Sequence, residues 1–185
     1  MKTVFIAGSI KIKNIDPAFV DRIKNIVRKN MAVVVGDANG ADTSIQRELV
    51  AQSADYVTVY CTGEKPRNNV GHWRVRQVSS SAEPGTRAYF TEKDLKMAEA
   101  ADFGLMLWDG ASTGTLSNVI ELLQQGKKSV VFVNRDKRFI EVKAPTDIHE
   151  LVSAMSVGAK RLAEQKIGLH GKISKLVNEQ PSLAL

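Results

Sequence analysis

Short apolar runs alternate with helix-spaced segments through most of this chain, and few architectures accept that rhythm. "TVFIAGS" (3–9), "MAVVVG" (31–36), "YVTVYC" (56–61), "FGLMLW" (103–108) and "KSVVFVN" (128–134) read as strands. Each is apolar without alternation, as expected of a strand buried on both faces. Between them lie "IDPAFVDRIKNIVRKN", "TSIQRELVAQS", "FTEKDLKMAEAA" and "TLSNVIELLQQG". In the first of these, Asp16 suits an N-cap, Pro17 the first helical position, and Phe19, Val20, Ile23, Ile26 and Val27 recur at helical spacing. Thr91 is the expected cap of the third helix, and Gly126 closes the fourth. Strands alternating with helices predict an α/β, Rossmann-like doubly wound architecture: a mainly parallel sheet of five or more strands, covered on both faces.

The expected division is a nucleotide-binding-type domain over 1–135 and a helical C-terminal extension over 136–185, with helices near 147–155 and 157–166. The composition, 43% hydrophobic and 25% charged over 185 residues, suits an ordinary globular core. The single cysteine, Cys61, excludes an internal disulfide framework and reads as buried filler. No CxxC or His-rich spacing suggests zinc, and neither a metal site nor a cofactor is expected. The apolar start is too short for a signal peptide and no run approaches a membrane span, so a cytoplasmic location is expected, without a membrane partner. The net charge of +6 comes from dispersed basic residues, with no helix-turn-helix, RNP or zinc-finger pattern. That charge permits an anionic ligand, or nucleic acid as a lesser possibility.

Parallel sheets bind ligands beyond the carboxyl ends of their strands, so the loops after the strands carry the chemistry. "GDANGAD" places Gly36 and Gly40 four apart before a helix, leaving room for a ligand near backbone amides. Asp42 suits the cap of that helix and Asp37 lies beside it. The loop is not a Walker A motif, and Gly8 alone in the first turn excludes the dinucleotide fingerprint. In "WDGASTGTLSN", Asp109 ends a strand, where it can accept bonds from sugar hydroxyls, or else open a turn. Ser112, Thr113, Gly114 and Thr115 stand where free amides and the helix dipole favour an anion, or where one hydroxyl caps the helix. The polar stretch 62–87 is long for a connector. Its "NNVGHWRVR" offers Trp73 to stack on a base, Arg74 to grip a phosphate, and His72 as an acid or base, with Tyr89 and Lys93 close behind as parts of a lid.

"FIAGS", "VVVGDANGAD" and "ADFGLMLWDGASTGTLSN", in this order over about residues 3–133, resemble the SLOG superfamily, which includes the DNA-processing protein DprA and the Lonely Guy nucleotide hydrolases. "GDANGAD" resembles the loop of the DprA-like and YspA-like branches, and "DGASTGTLSN" the Gly-Gly-x-Gly-Thr-x-x-Glu segment of the Lonely Guy branch. The resemblance implies a nucleotide or nucleotide-derived ligand held by Gly8, Ser9, Gly36, Gly40, Ser112, Thr113, Gly114 and Thr115, with Asp109 and Asn118 on the sugar. It also implies a homo-oligomer, most simply a dimer. Asn118 stands where the hydrolases carry the glutamate that works on the glycosidic bond. An amide cannot serve as nucleophile or general base. Asp94, Asp109 and Glu121 are the substitute carboxylates for an N-glycosidase or transferase, the alternative to a binding protein. A DprA-like single-stranded DNA binder is the third expectation.

Overall fold

The computed structural model describes residues 1–178. Seven strands form one sheet: β1 (Thr3–Gly8), β2 (Ala32–Gly36), β3 (Val57–Thr62), β4 (Arg74–Val78), β5 (Phe103–Trp108), β6 (Ser129–Val133) and β7 (Arg138–Val142). Their spatial order is β4-β3-β2-β1-β5-β6-β7, parallel throughout except for β7, which runs antiparallel to β6. The helices are α1 (Pro17–Arg28), α2 (Ala41–Ala51), α3 (Arg87–Ala100), α4 (Thr113–Gln124), α5 (Ile148–Ser153), α6 (Val157–Ile167) and α7 (Leu169–Asn178).

Alternation along the central strands divides the core into two layers. Val4 and Ile6 of β1 and Val33 and Val35 of β2 face α1 and α2, where Phe19, Ile23, Ile45 and Leu49 bury. Phe5, Ala7 and Val34 face the other way, onto Met97 of α3, Leu116 and Ile120 of α4, and Leu151, Ala163, Leu169 and Leu176 of the C-terminal helices. Burial on both faces is why these strands lack polar alternation. Asp16 caps α1 by accepting from the Ala18 amide at 2.9 Å, with Pro17 next, as its sequence predicts.

Several expectations are corrected. The stretch 62–87 is not a continuous loop, because "RVRQV" adds β4 to the open edge of β3. Arg74, Arg76 and Gln77 stay exposed, so β4 lacks the apolar signature of its neighbours. The segment beyond 135 is not wholly helical: "RFIEV" forms β7, burying Ile140 and Val142. The third helix begins earlier than expected, capped by Thr86 through the Tyr89 amide, so Thr91 lies inside it. The stretch from Ile167, which lacks clear periodicity, forms α7 after Gly168 turns the chain at φ 59°. Among the described residues, no helix is long and apolar enough to cross a membrane. Cys61 is fully buried, and burial pushes its thiol above the ordinary value.

Candidate functional site

The chain builds β1, β2 and β3 outward in one direction, adds β4, then returns through α3 to place β5 on the other side of β1. The loops leaving β1 and β5 therefore diverge, which is where open parallel sheets hold ligands. A cleft of about 140 Å³ opens there. Ala7 and Gly8 form its base, Ala38 and Asp42 one wall, Phe90, Lys93, Asp94 and Met97 of α3 another, and Ser112, Gly114, Thr115 and Asn118 of the α4 entry the third. Arg67 and Ile10 complete the rim.

Five charged side chains gather at the cleft, as two ion pairs and one buried acid. The buried Asp37 carboxylate receives both arms of the Arg67 guanidinium, Nη2 to Oδ1 at 2.7 Å and Nε to Oδ2 at 3.1 Å. Burial pushes Asp37 upward, but its side-chain and backbone hydrogen bonds from Arg67 prevail and hold it below the ordinary carboxylate range. Arg67 also stacks on Phe90, with 4.3 Å between the guanidinium carbon and the ring centroid. Lys93, only 4% exposed, places its ammonium 2.6 Å from Asp94. Burial opposes that charge, and Asp94 and Asp42 outweigh it, so Lys93 lies above the ordinary lysine value. Asp42 is buried and, among the described residues, accepts a hydrogen bond only from the Ala38 amide, at 3.2 Å. Desolvation pushes its carboxyl up to about 6, with Lys93 pulling it back in part.

The α4 entry supplies donors. Ser112 occupies the N-cap position, yet no side chain caps the helix, so the first-turn amides of Thr113, Gly114 and Thr115 lack a capping acceptor. The loop before them is held by its own residues. Asp109 Oδ1 accepts from the Ala111 and Ser112 amides at 2.9 and 2.7 Å and from the Ser9 hydroxyl at 3.1 Å. Trp108 Nε1 donates to the Ser112 carbonyl at 3.0 Å from a position 1% exposed. Arg87 reaches across from α3 to donate to Thr113 Oγ1 at 2.8 Å.

Gly8, Asp42, Asp94, Ser112, Gly114, Thr115 and Asn118 thus converge on one cleft, while the other expected residues lie elsewhere. Gly36 and Gly40 make room for the protein's own chain. A Cβ at Gly36 would strike the Asp42 carboxylate and the Lys93 ammonium, and one at Gly40 would strike the Ile10 carbonyl. Asp42 does not cap α2, whose N-cap is Gly40 with no side-chain bond. Ser9 is 1% exposed and spends its hydroxyl on Asp109 and Thr115, latching the two loops together. Asp37 is consumed by Arg67. Asp109 and Thr113 line an adjoining depression with Lys11 and Lys166. Glu121 accepts from Gln125 at 2.7 Å and lines a groove one turn beyond the cleft.

Trp73 and Arg74 stand at the opposite end of the sheet. Arg74 pairs in register with Thr58 near the start of β3, and Trp73 Nε1 donates to the Ala54 carbonyl at 2.9 Å. His72, at φ 53°, is exposed in the turn before them. The stretch leading there is strapped down: Asn68 Nδ2 donates to the Asp37 carbonyl at 2.8 Å, and Gln46 Oε1 accepts the Val70 amide at 2.8 Å. Lys93 is a wall of the cleft rather than part of a lid. Arg67 and Phe90 escaped sequence reading, because their roles depend on a parallel strand returning the chain past Asp37. Among the described residues, no group of three or more His, Cys, Asp or Glu is placed to hold a metal ion.

No protein family and no curated protein matches this sequence. Solved structures do. Over 89% of this chain and 79% of the other, the fold is similar to DNA processing protein A from Helicobacter pylori, described for its single-stranded DNA binding mode, with a TM-score of 0.54 at 13% identity. Over 69% of this chain and 71% of the other, it is similar to the structural genomics target TM1055, with a TM-score of 0.50 at 15% identity. Both likenesses are of fold.

Proposed function

We propose that this protein binds a nucleotide or nucleotide-derived molecule in the cleft between β1 and β5, as a sensor or a sequestering protein. One observation carries the reading. The uncapped first turn of α4 opens onto the same cleft as a buried ammonium, Lys93, and a guanidinium, Arg67, fixed by two hydrogen bonds. Amides at a helix N-terminus attract anions, and fixed cations beside them reorganise little when one arrives. Asn118 is 8% exposed on the same cleft, and its carboxamide makes no hydrogen bond among the described residues. It is available to a ligand hydroxyl.

A second reading, cleavage or transfer at an N-glycosidic bond, is favoured by the two carboxyls in the cleft. Asp42 is raised to about 6 while Asp94 is paired with Lys93. Carboxyls in unlike environments are the usual basis of acid and base roles. Incubation of the purified protein with a mixed nucleotide panel, followed by mass spectrometry of protein and supernatant, separates the readings. Intact nucleotide retained on the protein supports binding. Free base that accumulates, and ceases in Asp94→Asn, assigns an enzyme. Preference for single-stranded DNA over every nucleotide, falling steeply with salt, replaces both.

A further inference from the structure

We infer that the cleft has a second lobe for a second phosphate-bearing group, so that the ligand is a dinucleotide rather than a single nucleotide; this rests on the nucleotide-binding reading of the first lobe. A groove of about 370 Å³ continues from the cleft between α3, α4 and the helices α6 and α7. Cavities of this size are those that take small ligands. The two lobes share Asp94 and Asn118. Asn118 is the clearest sign of an occupant: the residue is nine-tenths buried, its side chain borders both lobes, and its carboxamide is hydrogen-bonded to no protein group among the described residues. A ligand passing from one lobe to the other satisfies it.

The second lobe is basic. Arg87, Lys166 and Lys172 line it against Asp94 and Glu121. Asp94 is already neutralised by Lys93, and Arg87 is held in place by Thr113 Oγ1 at 2.8 Å and Ser117 Oγ at 3.4 Å. Leu95 and Ile167 add apolar surface on which a base can rest. Gly114 in the first lobe and Glu121 in the second are seven residues apart on α4, roughly 10 Å at 1.5 Å per residue. A phosphate seated on the α4 amides leaves the ammonium groups of Lys166 and Lys172 in the second lobe for a second phosphate.

Titration calorimetry with the four common nucleoside 5′-monophosphates and the corresponding 5′-phosphorylated linear dinucleotides tests this on the full chain. The native protein is expected to prefer a dinucleotide by about tenfold or more, the equivalent of one or two charge-assisted contacts. In Lys166→Ala/Lys172→Ala that ratio falls close to one, with thermal unfolding reporting that the variant is folded. Equal native affinities, or a preference that survives the double substitution, overturn the second lobe while leaving the first intact. Absence of binding by either class overturns the nucleotide reading and this inference together. A ten-residue oligothymidylate that binds more tightly than every dinucleotide assigns the groove to a nucleic acid strand and overturns it as well.

Discussion

The guanidinium of Arg67 and the carboxylate of Asp37 form a two-armed pair, 2.7 and 3.1 Å, that ties the connection after β3 to the loop after β2. The Asp37 side chain is 2% exposed and that of Arg67 40% exposed, so the acid depends on the base more than the reverse. Arg67→Ala is expected to destabilise the fold by about 2 kcal/mol, less than for a fully buried pair because Arg67 is partly hydrated. Urea denaturation measures it. A loss within about 0.5 kcal/mol, the usual size for a surface substitution, contradicts the tie.

Asp42 gives the protein a characteristic pH dependence. Its carboxyl is raised from 3.8 to about 6, so the folded state holds a proton that the unfolded chain has released. Its contribution to stability is complete below 3.8 and disappears as pH rises through about 6. The linked difference is on the order of 3 kcal/mol, and it is absent from Asp42→Asn. Denaturation of both proteins from pH 4.5 to 7.5 compares the slopes, and parallel curves contradict the assignment. An anion beside Asp42 raises it further, so nucleotide affinity should strengthen toward pH 6 in the native protein and much less in the variant.

Lys93 links the acids of the wall to the cleft. Lys93→Met removes the buried cation while preserving much of the volume, and a bound phosphate then faces Asp42 and Asp94 without it. Affinity is expected to fall at least about tenfold, the scale of one strong charge-assisted contact. Calorimetry reads the change, and undiminished affinity removes Lys93 from the site.

Trp73 separates composition from position. Trp73→Phe breaks the 2.9 Å bond to the Ala54 carbonyl at the end of the sheet remote from the cleft. It should destabilise by about 1 kcal/mol, as the loss of one partly buried hydrogen bond does, with nucleotide affinity unchanged. Weakened binding would return Trp73 to the site.

The apolar strands make most of the sheet readable, since a run such as "FIA" or "VVV" has few other homes in a chain of this charge. β4 and β7 lie at the sheet edges, where Arg74, Arg76 and Arg138 can face water, and the apolar signature fades accordingly. The α4 entry was legible because Gly, Ser and Thr between a strand and a helix leave amides open. The glycines of "GDANGAD" were legible as close approaches, but the sequence does not say what approaches: here it is Asp42, Lys93 and Ile10. Arg67 became a site residue only through pairing with Asp37 across 30 positions, and Phe90 and Lys93 only through the face of α3 that turns to the cleft. No local pattern encodes either.

Gly114→Asp tests the central claim most directly. The position is exposed, a Cβ there would meet only Ser112 Oγ at 3.9 Å, and φ is not positive. An acidic residue in the first turn of a helix favours the helix dipole, and replacing a helical glycine adds stability, so the variant should be as stable as the native protein or more so. The same carboxylate stands where the cleft is proposed to hold a phosphate. Thermal unfolding and nucleotide calorimetry on the two proteins should therefore diverge: unfolding temperature equal or higher, affinity at least about tenfold weaker. Unchanged nucleotide affinity in a fully folded Gly114→Asp would show that the α4 entry holds no anion, and the proposed binding site would be wrong.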